Sequence, residues 1–125
     1  MVQTDISWSY DVDRGPDWVF VRLHPGDGGM IDAISLAERM WSVLEQSFTY
    51  RLVLELDEVP IMQSYLIAQL VMLAKRIHVH GGLLRLCGLT TANQEVIRLC
   101  RLDGCLPHYG NRGDAVMGHR PLQPR

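Results

Sequence analysis

Two short apolar runs with a helical stripe between them constrain this chain more than anything else in its sequence. Arg51-Leu52-Val53-Leu54-Glu55-Leu56 and Leu83-Leu84-Arg85-Leu86-Cys87 have the length and character of interior strands covered on both faces. Between them, from Gln63 to His78, Ile67, Leu70, Val71, Ala74 and Ile77 share one helical stripe, with Gln69, Lys75 and Arg76 off it. Gly81-Gly82 closes that helix. A strand, a helix and a second strand joined by short connections make the strands parallel, with a right-handed crossover. The expectation is an α/β fold with Arg51–Leu56 as its central strand.

The flanking segments extend the pattern. Trp8 and Tyr10 alternate with polar residues before a turn over Asp11–Asp17, and Trp18–Leu23 is a second β-rich run, so the chain is expected to open with a hairpin. His24-Pro25-Gly26-Asp27-Gly28-Gly29 is a breaker cluster. After it, Ile31, Ile34, Met40, Trp41 and Leu44 recur at helical spacing and predict a helix from about Asp32 to Gln46. Thr91 to Gln94 has the spacing of a capping box opening a helix through Arg101, which Gly104 ends. Pro107–Tyr109 is read as a short strand and Arg112–Met117 as a short helix. Residues 1–118 are expected to form one domain, and 119–125 a frayed tail.

Composition removes several classes of function. The 125 residues are 47% hydrophobic and 21% charged, enough to bury a core without disulfide or metal staples. A net charge of -2 gives no basic field for a phosphate backbone, so nucleic acid is not an expected partner. The longest apolar stretch, Leu66–Ala74, is broken by Gln69 and falls short of the roughly 20 residues of a membrane span. Cys87, Cys100 and Cys105 form no CxxC pair and are read as buried thiols in a reducing compartment. Met1–Tyr10 has no export-signal pattern, and a cytoplasmic location is expected.

Motifs with chemical potential are sparse. His78 and His80 bracket a helix end without a third ligand nearby, so no metal is expected. Asp57 and Glu58 are read as a solvated acidic loop rather than an acid–base pair. Gly26, Gly28 and Gly29 lack both a P-loop lysine and dinucleotide spacing. No serine lies in a GxSxG elbow, and no catalytic residue or cofactor is expected.

From Arg51 to Val116 the chain resembles the STAS domain, the module of sulfate transporters and anti-sigma factor antagonists. The similarity lies in ordered pieces: the strand Leu52–Asp57, then Met62, then a helix start at Gln63-Ser64 with Ile67 and Leu70 at its apolar positions. The Gly81–Leu89 turn and strand follow, then Val96-Ile97 through Leu102-Asp103-Gly104 and Leu106. The resemblance implies a mainly parallel or mixed sheet of four to five strands with about four helices. It also implies a non-enzymatic regulatory module that docks an anti-sigma factor or similar kinase-like protein. Self-association, a scaffold role and small-ligand sensing are the alternatives.

In that family the loop before the second helix carries an aspartate, two hydroxyl residues and a glycine, and a partner kinase phosphorylates the second hydroxyl. Here Gln63 replaces the aspartate, Ser64 keeps the first hydroxyl, Tyr65 stands at the phosphorylated position and Leu66 replaces the glycine. Ser64 is the phosphorylation candidate, because a helix N-terminus tolerates phosphate, but the favoured reading of its hydroxyl is as the N-cap of the helix. Asp57, Met62, Gln63, Ser64, Tyr65 and Leu66 are the expected docking residues, with Met62, Tyr65 and Leu66 as apolar anchors at an exposed helix start.

Overall fold

The computed structural model describes residues 7–26, 31–32 and 36–118. Strand β1 (Ser7–Arg14) turns back into β2 (Val19–Gly26) as an antiparallel hairpin, with Val12 opposite Val21, and β3 (Ile31–Asp32) pairs with the far edge of β1. Helix α1 (Leu36–Ser47), β4 (Arg51–Glu55), α2 (Ser64–Val79), β5 (Leu83–Cys87), α3 (Thr91–Leu99), β6 (His108–Tyr109) and α4 (Arg112–Met117) follow. The sheet order is β3-β1-β2-β4-β5-β6, parallel from β2 to β6 and antiparallel at β1 and β3. The fold is thus α/β with a mixed sheet, and β4 lies at its centre as its unbroken apolar run requires.

Alternation along the strands divides the core in two. Val19, Val21, Leu23, Leu52, Leu54, Leu84 and Leu86 point to the face covered by α1, α2 and α3. Trp18, Val53, Cys87 and Tyr109 point to the other face, where Ala115 of α4 packs on them. That second face is bound by cations as much as by apolar contact. The Arg85 guanidinium lies 5.2 Å from the Trp18 ring, and its Nη1 donates to the Ala115 carbonyl at 2.8 Å, satisfying the open end of α4.

The double glycine has two separate causes. Gly81 follows α2 with φ of 76°, the left-handed conformation that ends helices cheaply only without a Cβ. A Cβ on Gly82 would lie 2.0 Å from the Tyr50 carbonyl oxygen, so it is a contact residue.

Several boundaries differ from the sequence reading. Strand β1 runs through Asp11–Arg14, and β2 continues through His24-Pro25-Gly26, because pairing with β1 overrides the local breaker signal. Pro25 is tolerated there since β4 stops pairing with β2 at Arg22. Asp32 belongs to β3 rather than to a helix, and the described part of α1 starts at Leu36, with Ile34 outside the described residues. The stripe of α2 is rotated by one position: Leu66, Gln69, Leu70, Leu73, Ala74 and Ile77 are buried, while Ile67 and Val71 sit at its rim. Gln69 is buried because its Oε1 accepts from the Ala37 amide at 2.9 Å, capping α1 from a neighbouring helix. The cap of α3 is Thr90 rather than Thr91, and the helix ends at Leu99, before Arg101 takes a positive φ of 60°. Of the thiols, Cys87 is buried, Cys105 half-buried and Cys100 exposed, so the expectation of three buried thiols fails. The tail 119–125 and the Asp27–Gly29 part of the breaker cluster lie outside the described residues.

Candidate functional site

The loop from β4 to α2 leaves the carboxyl end of the central strand, where α/β sheets place their functional loops. It is short, but the start of α3 holds it tightly. The side chain of Asn93, fully buried, bridges it: Nδ2 donates to the Val59 carbonyl at 2.8 Å, and Oδ1 accepts from the Met62 amide at 2.8 Å. Thr90 Oγ1 donates to the Pro60 carbonyl at 3.1 Å while accepting from the Asn93 amide. Three residues of the loop, Val59, Pro60 and Met62, are thereby fixed by two side chains of another element. No motif in the sequence marks Asn93, because a buried asparagine inside an amphipathic helix has no local signature.

The loop is also tied to the strands beneath it. Asp57 pairs with Arg22 across 3.5 Å, and its carboxylate lies where a Cβ on Gly88 would fall, 2.5 Å away; Gly88 itself has a positive φ of 73°. Glu58 Oε1 is 2.8 Å from His24 Nδ1, and Asp11 Oδ2 is 2.8 Å from Nε2 of the same ring. Hydrogen bonds to Glu58 and then to Asp11 raise the His24 pKa above its ordinary value. Below the loop, Glu55 is buried between Arg22 at 2.7 Å and Arg112 at 2.6 Å. Burial, helped by Glu55 and Asp57, pushes the Cys87 thiol up to about 12 and leaves it unreactive.

The expected docking residues divide by exposure. Met62 and Leu66 are core residues, 3% and 1% exposed, so they are not surface anchors. Their side chains turn inward because the loop is drawn down by Asn93 and because Leu66 lies on the buried face of α2. Gln63 and Ser64 are exposed, Tyr65 is half-buried, and the exposed apolar side chain is Ile61, at 58%. Pro25, Val59, Pro60, Ile61, Gln63, Tyr65 and Leu66 line a pocket of about 300 Å³ beside the loop. Ser64 is the first residue of α2 rather than its cap; Gln63 holds the cap position and makes no side-chain cap bond. The first bond of the helix runs from the Ile67 amide to the Gln63 carbonyl at 3.1 Å, so the amides of Ser64, Tyr65 and Leu66 precede it.

The paired histidines have structural surroundings. His80 packs between Trp41 and Tyr50 at 4.7 and 5.1 Å, while His78 borders a separate groove with Lys75 and Cys105. Among the described residues no three histidine, cysteine or acidic side chains are placed to hold a metal, and no helix is long and apolar enough to cross a membrane.

This sheet order, with helices packed as described and a fixed loop entering α2, defines the STAS-type fold of anti-sigma factor antagonists. An anti-sigma factor antagonist from Mycobacterium paratuberculosis matches it with a TM-score of 0.70 at 22% identity, over 92% of this chain and 96% of its own. An anti-sigma-factor antagonist (STAS) domain protein from Planctomyces limnophilus matches at 0.64 and 18% identity, over 88% and 97%. A variant of RsbS from Moorella thermoacetica matches at 0.70 and 13% identity, over 87% and 92%. In sequence, no family model and no curated protein matches.

Proposed function

We propose that the chain is a non-enzymatic regulatory module that docks an anti-sigma factor or related kinase-like protein through the β4–α2 loop and the first turn of α2. Holding that partner would release a sigma factor and so influence transcription. The observation that carries this reading is the loop itself: an exposed Ile61 beside an apolar pocket, on backbone pre-organised by Asn93 and Thr90. A rigid loop loses little entropy when it docks, which is how a small surface gains affinity. Asp57, Gln63, Ser64 and Tyr65 complete the surface, while Met62 and Leu66 support it from below.

Ser64 is the candidate for regulation by phosphate. It is exposed and stands at the start of a helix, where amides and helix dipole favour a phosphate. Leu66, where the family has glycine, is a core residue. The test is binding of a cognate anti-sigma kinase to the wild type and to Ile61→Asp. Loss of binding by roughly tenfold or more in a variant of unchanged stability supports the reading. Equal binding removes it.

A scaffold role has separate support at the opposite pole. Phe48 and Leu83, exposed on either side of Tyr50 where the Leu83 amide bonds the Tyr50 carbonyl, offer a surface suited to a second copy of the chain. Sedimentation of the wild type against Phe48→Ser tests it.

A further inference from the structure

His24 lies on the less covered face of the sheet, in a group of charges whose balance is unusual. Five carboxylates, those of Asp11 and Asp13 on β1, Glu55 on β4 and Asp57 and Glu58 in the loop, surround two guanidiniums, Arg22 on β2 and Arg112 on α4. Arg22 is taken by Glu55 and Asp57, and Arg112 by Glu55 and Asp13. Asp11 and Glu58 are left to His24, the one other cationic side chain that pairs with this group among the described residues.

Both of its ring nitrogens are 2.8 Å from a carboxylate oxygen. An ionised carboxylate only accepts, whereas a neutral imidazole has one donor and one acceptor. The observed bridge therefore needs the imidazolium, with a proton on each nitrogen. The neighbouring residues give the bridge its consequence: Pro25, next to His24, and Val59, next to Glu58, are two walls of the pocket beside the loop.

We propose that His24 is a protonation-operated latch on this pocket, tying the end of β2 to the β4–α2 loop when charged and releasing Glu58 when neutral. Glu58 is the partner that leaves because Asp11 is held in register on the adjacent strand, while Glu58 sits on a loop with no ladder. Asn93 and Thr90 still pin the loop from Val59 to Met62, so the opening is confined to the Glu58 end and the Pro25 wall. The bearing of the latch on partner binding rests on the docking reading above; the latch itself does not.

The test is made on the free, full-length protein by following the His24 ring nitrogens and the Glu58 and Val59 amides by NMR through a pH titration. The latch requires a His24 midpoint above the ordinary 6.5, with both amides moving at the same midpoint. Glu58→Gln must lower the midpoint and abolish the shared loop transition, whereas Asp11→Asn must lower the midpoint and leave the loop coupled. A midpoint at or below 6.5, or loop amides that ignore it, overturns the latch. Partner affinity measured on both sides of the midpoint separates the two claims. A titrating latch with no partner bound at either pH leaves the latch standing and removes the docking reading; a partner bound without any titration does the reverse.

Discussion

Replacing Asn93 by alanine removes two of the three side-chain bonds that hold the β4–α2 loop, leaving the one from Thr90, and its cost follows from what each partner can do afterwards. The Met62 amide is a buried donor on a residue only 3% exposed, which places its loss near the upper end of the roughly 1–3 kcal/mol for a buried orphan. The Val59 carbonyl is buried too, but a carbonyl short of one bond is tolerated better than an orphaned amide, and its loss is nearer 1 kcal/mol. Together with the small void left by the truncated side chain, the cost is about 3 kcal/mol. That is a large fraction of the stability of a domain of this size and corresponds to a fall in Tm of about 10 °C. Urea unfolding measures the free energy, and hydrogen exchange at the Val59 amide, bonded to the Leu56 carbonyl at 3.1 Å, measures the loop. A loss below about 1 kcal/mol, with Val59 exchange unchanged, would refute the view that Asn93 organises the loop.

Other outcomes follow from the same geometry. Because the His24 pKa is raised on folding, its stabilisation is complete below 6.5 and is lost as pH rises through the folded value. Thermal melts from about pH 6 to about pH 8 will show that fall in the wild type and a flatter profile in His24→Gln. Removing Glu55 as Glu55→Ala leaves Arg22 and Arg112 facing each other across the site of a buried carboxylate, and about 3 kcal/mol of stability is expected to go in chemical denaturation. With native protein, an alkylating thiol reagent will label Cys100 first and Cys105 slowly, while Cys87 stays protected until unfolding, as intact mass spectrometry will resolve. Gly88→Ala will destabilise by at least about 1 kcal/mol, since its Cβ meets the Asp57 carboxylate and its φ is positive.

The elements whose pattern repeats were legible in the sequence. The Arg51–Leu56 and Leu83–Cys87 runs, the helix starting at Ser64 and the short helix Arg112–Met117 stand where composition and punctuation put them, because burial on both faces and on one stripe leaves a periodic trace. What escaped is what one element does for another. Pairing with β1 carries β2 through a breaker cluster, Gln69 caps a helix to which it does not belong, and Asn93 fixes a loop about thirty residues earlier in the chain. The candidate site shows the same division. Asp57, Gln63, Ser64 and Tyr65 are at the surface of the expected loop, but Met62 and Leu66 face inward, and the exposed anchor is Ile61. Which side of the chain faces solvent at a strand-to-helix turn depends on how the loop is pinned, and its own six or seven residues do not encode that.

Docking through this loop can be read from hydrogen exchange of the intact protein with and without a cognate anti-sigma kinase domain. Protection is expected to concentrate from Val59 to Tyr65 on complex formation, and to be absent when Ile61→Asp replaces the wild type. A complex that protects a different face and is unaffected by Ile61→Asp would contradict it, as would the absence of any complex.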